Sequence, residues 1–230
     1  MTTICNNLTA VRARIAGACR EAGREAVEVR LLAVSKTFGP DAVREALDAG
    51  QRAFGENYLQ EAVAKIDALA GLDIEWHCIG PIQSNKTRLA AEKFDWVQSV
   101  DRLKIAERLS AQRPEQLPPL NICLQVNIDG GENKSGVAPD EVASLARAVA
   151  ALPRLRLRGL MTIPEPAATY EAQLEVHRQA RALFDSLVAG GLPLDTLSLG
   201  MSADIDAAVA AGSTMVRVGS AIFGGRARPA

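Results

Sequence analysis

The chain has 230 residues, 48% of them apolar and 23% charged, which is enough for a sizeable core in one large domain or two small ones. A formal net charge of −1 with scattered basic residues, Arg226 and Arg228 near the end apart, gives no long-range attraction for nucleic acid or acidic membranes. Two histidines and four cysteines with no C-x-x-C pair supply no metal-binding pattern, and no apolar run approaches the roughly 20 residues of a membrane span.

The opening "MTTICNNLTAVRARI" lacks a charged start followed by an apolar block, so it does not read as a secretory signal. A cytoplasmic protein with reduced thiols is expected, with Cys78 and Cys123 free and buried in strand-like runs. An amphipathic stretch over 6–22 precedes the first strand candidate, "RLLAVSK" (30–36). Helical and strand-like segments then alternate: "PDAVREALDAG" (40–50), "RAFGEN" (52–57), "YLQEAVAKIDALAG" (58–71), "IEWHCIG" (74–80), "NKTRLAAEKF" (85–94) and "DWVQSV" (95–100). The series continues with helices over 101–112, 138–152, 169–191 and 202–212. Their strand partners are "NICLQVN" (121–127), "LRLRGLMTI" (155–163), "TLSLG" (196–200) and "MVRVGSAIFG" (215–224). Near-continuous apolar runs suit parallel strands covered on both faces. Pro40 and Pro139 mark helix starts, while Gly50, Gly71, Gly190 and Gly212 mark stops.

Eight strands with intervening helices predict a single (β/α)8 TIM-type barrel with an extra N-terminal helix, one domain over residues 1–230. The rival is an open doubly wound sheet, but no G-x-G-x-x-G follows the first strand. In a barrel the chemistry sits at the carboxyl ends of the strands. Lys36, Asn57 and Asn127 end strands 1, 2 and 5, Met161 and Thr162 end strand 6, and His77 lies a few residues before the end of strand 3. After strands 7 and 8, "GMSADIDAAV" offers Ser202 as a helix N-cap, and "RVGSAIFGG" offers Gly219 for close approach and Ser220 as a second hydroxyl. The pair reads as a phosphate cup, with Asp204 and Asp206 turned away from it. Arg217 shares a strand face with Gly219, where it can bridge a carboxylate or donate to a ring nitrogen or oxyanion.

A lysine among apolar walls has its charged form disfavoured, and the neutral amine is the state that attacks a carbonyl. Lys36 beside a phosphate cup therefore suggests a phosphorylated carbonyl compound, either a sugar-phosphate aldol substrate or pyridoxal 5'-phosphate. An aldolase would also need a second lysine or a carboxylate near the imine, and the strand ends show no clear pair.

The segments "AVSKT", "FGENYLQE", "WHCIGPIQSNK", "QSVDR", "VNIDGGENKSG", "RGLMTI" and "LSLGMSADIDAAVAAGSTMVRVGSAIFG" run from the first strand to the last. On these the chain resembles the pyridoxal phosphate homeostasis protein family, related to the alanine racemase N-terminal barrel. The resemblance implies that Lys36 holds pyridoxal phosphate as a Schiff base, with Ser202, Gly219 and Ser220 on the phosphate. It places Arg217 at the pyridine nitrogen, Asn57 and His77 at the ring, and Met161 nearby. Lys134 matches a family lysine tied to a second vitamer site. The implied role is vitamin B6 homeostasis without an established catalytic reaction, as a monomer. Other B6 vitamers are possible ligands, and apo-enzymes receiving the cofactor are candidate partners. The alternative is a pyridoxal phosphate-dependent amino acid racemase. Racemases of this type carry a second domain bringing a catalytic tyrosine, and Tyr58 and Tyr170 do not match its position. Phe38 stands where relatives often carry a polar or basic residue, Cys78 where a larger apolar one is common, and the tail "GRARPA" has arginines where some carry lysines.

Overall fold

The computed structural model describes residues 3–131 and 135–225. Helix α1 (Thr3–Glu21) comes first. Strand β1 (Arg30–Val34) and helix α2 (Pro40–Asp48) follow, then β2 (Ala53–Glu56), α3 (Leu59–Ala68) and β3 (Glu75–Cys78). Next are α4 (Thr87–Lys93), β4 (Trp96–Val100), α5 (Leu103–Gln112), β5 (Leu120–Val126) and α6 (Val142–Ala150). The chain continues through β6 (Leu155–Thr162), α7 (Tyr170–Ala189), β7 (Thr196–Ser198), α8 (Ile205–Ala210), β8 (Met215–Val218) and the short turn α9 (Ser220–Phe223). The eight strands are parallel and hydrogen-bond in sequence order, β8 closing on β1 with Leu32 beside Arg217 and Ala33 beside Val218. This is the expected (β/α)8 barrel, with α1 as the extra N-terminal helix.

Alternation along each strand divides the apolar residues between two layers. Leu31 and Ala33 of β1 join the large core between sheet and helices. Leu32 and Val34 face the barrel interior, with Ala53, Ile79 and Met215. Trp96, Cys123 and Met161 form a second interior cluster. Cys78 and Cys123 are free and buried, and burial pushes both thiols up to about 12, so neither is a ready nucleophile.

Most strands are shorter by a residue or two than the sequence expectation, and two of the differences shape the mouth. Strand β1 stops at Val34, and Ser35–Phe38 form a turn in which the Phe38 amide donates to the Ser35 carbonyl at 3.1 Å. Strand β8 stops at Val218 rather than running to 224, because the amides of Ile222 and Phe223 both donate to the Gly219 carbonyl at 2.9 Å and wind the chain into α9. No helix among the described residues is long and apolar enough to cross a membrane.

Candidate functional site

Lys36 lies two residues beyond β1, half-buried, at the carboxyl-terminal mouth of the barrel. Among the described residues no hydrogen bond or ion pair engages its ammonium group. The turn is pinned to the far end of the chain at two points. Phe38 packs on Phe223 of α9, with ring centroids 5.2 Å apart. A side chain at Gly219 would place its Cβ 3.0 Å from the Val34 carbonyl oxygen, so glycine lets the end of β8 close on the end of β1.

The Ser202 and Ser220 hydroxyls meet at 3.5 Å across the two turns that follow β7 and β8. Asp204, rather than Ser202, occupies the cap position of α8. Its carboxylate accepts the Met201 amide at 2.6 Å and pairs with the buried His177 of α7 at 2.8 Å. Asp206 is bridged by Arg14 of α1. Both acids are thus engaged away from the hydroxyl pair, as expected.

Arg217 is buried, and among the described residues no carboxylate closes on it. Its guanidinium donates to the Ser198 carbonyl at 2.7 Å, the Ser198 hydroxyl at 2.8 Å and the Thr162 carbonyl at 2.7 Å. Burial lowers it to about 10, so it remains charged at neutral pH. Behind it a chain of hydrogen bonds descends through the barrel. The Ser198 hydroxyl donates to Gln98 Oε1 at 2.8 Å, and Gln98 Nε2 lies 2.8 Å from His77 Nδ1. His77 Nε2 lies 2.5 Å from Glu75, which Arg30 bridges at 2.8 Å. Each donor fixes the next: an acceptor at Nδ1 leaves the His77 proton on Nε2, directed at Glu75. Burial pushes the His77 imidazole down, which favours this neutral form.

His77 is therefore placed inside the barrel, stacked on Trp96 with ring centroids 5.0 Å apart and turned toward the amino-terminal end. Gln98 and Ser198 link it to Arg217. Met161 is wholly buried beside Trp96. Asn57 stands at the mouth, its Oδ1 buried without a partner among the described residues, and lines a 610 Å³ cavity with Tyr58, Lys86 and Arg102. Lys134 and the arginines of the tail lie outside the described residues. No group of three or more potential metal ligands occurs among the described residues.

Sequence reasoning missed two kinds of residue. Ser198 and Gln98 read as ordinary strand residues, and only barrel closure brings them to Arg217. Glu56 and Lys65 form a buried ion pair at 2.6 Å, touching the Lys36 turn from the helix side. A glutamate ending an apolar strand and a lysine on the apolar stripe of the next helix were the available signals.

Among the described residues the barrel brings together a lysine without a partner just past one strand end, a buried arginine and a hydroxyl pair, an arrangement with the donors and the amine that a small phosphorylated carbonyl compound would need. Among the described residues the Asn57 Oδ1 at the mouth has no partner, which leaves a polar atom for such a ligand to satisfy. The sequence model of the alanine racemase N-terminal domain family matches residues 7–227. A pyridoxal phosphate homeostasis protein of Pseudomonas aeruginosa is 58% identical over 226 residues, covering 98% of this chain and 97% of that protein. One from Escherichia coli is 56% identical, covering 98% of each. Among solved structures, PipY of Synechococcus elongatus with PLP bound superposes with a TM-score of 0.84 at 38% identity, covering 96% of this chain and 100% of that one. An alanine racemase of Clostridium difficile shares the fold, with a TM-score of 0.72 at 15% identity over 94% of this chain and 56% of its own. The chain belongs to the pyridoxal phosphate homeostasis protein family.

Proposed function

We propose that this chain binds pyridoxal 5'-phosphate, with Lys36 as its covalent anchor, and serves homeostasis of the cofactor rather than turnover of a substrate. The observation that carries the reading is the junction of two distant segments. Phe38 on Phe223, and Gly219 against Val34, put the lysine turn and the Ser202–Ser220 hydroxyl pair on one rim. The family's naming and the PLP held by PipY supply the ligand class.

Pyridoxal phosphate, when bound, would supply an aldehyde, and Lys36 would supply the amine able to condense with it with loss of water. Ser202 and Ser220 donate to the phosphate, and Gly219 keeps its approach open. Arg217 holds a charged donor toward the ring nitrogen, which discourages protonation there and weakens the ring as an electron sink. Retention and release tolerate that loss better than most amino acid chemistry does.

Borohydride reduction of the loaded protein followed by peptide mapping is expected to mark Lys36, and Lys36→Ala to abolish the visible absorbance band. Label confined to Lys134 would overturn the assignment. Exchange of the α-proton of amino acids at enzyme-like rates would overturn the homeostasis reading in favour of a racemase.

A further inference from the structure

Both neighbours of Lys36 are held by one cluster of charges that the cofactor reading does not use. On the helix side of β1 and β2, Glu56 Oε1 accepts the Ser35 hydroxyl at 2.5 Å and the Lys65 ammonium at 2.6 Å. The same ammonium donates to the Ser35 carbonyl at 2.9 Å and to Glu61 Oε1 at 3.3 Å. Glu61 Oε1 also accepts the Thr37 amide at 2.7 Å. The residues before and after the lysine are thereby tied to a common knot, while Lys36 carries no tie of its own.

Stability alone is a weak reason for this arrangement. The side chains of Lys65 and Glu56 are 2% and 1% exposed. A buried ion pair costs about as much desolvation as it returns, and apolar replacement of both partners is often neutral. Burial also pushes the Glu56 carboxyl above its ordinary range, against the pull of Lys65, and leaves Oε2 without a partner. Thr37 sits at φ 69°, a left-handed conformation unfavourable for a β-branched residue, which persists only where the surroundings impose it. The cluster supplies that constraint through Glu61. With Ser35 tied on one side and Thr37 on the other, the backbone that carries Lys36 is fixed at both of its neighbours.

We propose that Glu56 and Lys65, with Glu61, are positioning residues that aim the Lys36 amine at the cofactor's aldehyde. The inference rests on Lys36 being the covalent anchor. Its distinguishing consequence is a split between holding the cofactor and bonding to it. The cluster lies behind the lysine turn and makes no contact with the Ser202–Ser220 pair, so non-covalent affinity should survive its loss.

The test compares the full-length protein with Glu56→Leu/Lys65→Met, which removes both charges together. Covalent capture of pyridoxal phosphate is followed by absorbance and by the borohydride-trapped fraction at Lys36. Non-covalent affinity is followed with 4'-deoxypyridoxine phosphate, which lacks the aldehyde. Capture should slow by about tenfold or more, as a displaced reacting group does, with analogue affinity within about twofold of the parent. Unchanged capture overturns the proposal, and so does an equal fall in capture and analogue affinity, which marks a merely structural cluster. Should the double variant not fold, Glu61→Ala removes the Thr37 tie from the surface and should slow capture by about threefold at unchanged analogue affinity. Unchanged capture in Glu61→Ala is equally fatal. Absence of label at Lys36 in the parent protein would instead overturn the anchor reading itself.

Discussion

Arg217 shows how one residue's role depends on atoms far off in sequence. A guanidinium held by two carbonyls and a hydroxyl keeps its charge without a carboxylate, because neutral acceptors satisfy its donors and leave the charge for a ligand. The Ser198 hydroxyl accepts from Arg217 while donating its own proton to Gln98, and Gln98 in turn sets the His77 tautomer. Gln98→Leu would strand the Ser198 hydroxyl and His77 Nδ1 together. A loss of about 2–4 kcal/mol in urea unfolding is expected from two unmet buried groups. Nitrogen-15 shifts of His77 should report a neutral ring protonated at Nε2 in the parent. Arg217 was legible from its period-two spacing to Gly219, whereas the partner that would reveal its role was not.

Among the elements, α1 is the one a barrel does not require. It is amphipathic, with Leu8, Val11, Ile15 and Cys19 buried, and its polar side reaches both turns of the hydroxyl pair. Arg14 donates to the Ser202 carbonyl at 2.7 Å, and Asn7 donates to the Ile222 carbonyl of α9 at 2.8 Å. The extra helix thus braces the rim from outside the barrel. Asn7→Ala/Arg14→Ala is expected to leave the fold intact and weaken binding of pyridoxal phosphate by about tenfold, measured by fluorescence titration, because two hydrogen bonds that hold the rim are lost. The helix was visible in sequence as an apolar stripe. Its bracing was not, since the contacts span about two hundred residues.

For the molecule as a whole, closure joins its two ends through one polar thread, from Arg30 and Glu75 at the amino-terminal face to Arg217 near the mouth. Burial works to raise the Glu75 carboxyl, but the hydrogen bond from His77, the charge that ring carries once protonated in acid, and the charge of Arg30 outweigh it and bring it to about 2. A carboxyl lowered on folding stabilises the protein fully above its ordinary value of 4.5, and that contribution is lost as pH falls from 4.5 toward about 2. Urea midpoints taken between pH 6 and pH 3 should fall in the parent, and Glu75→Gln should flatten the part of that slope due to this group. An unaltered slope would show that Glu75 is not held down.

The sequence by itself determined the barrel, because eight apolar runs separated by amphipathic helices are a local pattern that each segment carries alone. It also placed Lys36, Ser202, Gly219 and Ser220 at strand ends, since in this fold the end of a strand is the mouth. Only the tertiary structure decided which strand ends meet. It turned His77 inward, where Gln98 and Glu75 engage its two nitrogens, and it brought Glu56 and Lys65 together behind the lysine turn. Those pairings depend on register and closure, which are properties of the whole sheet and are written in no single segment.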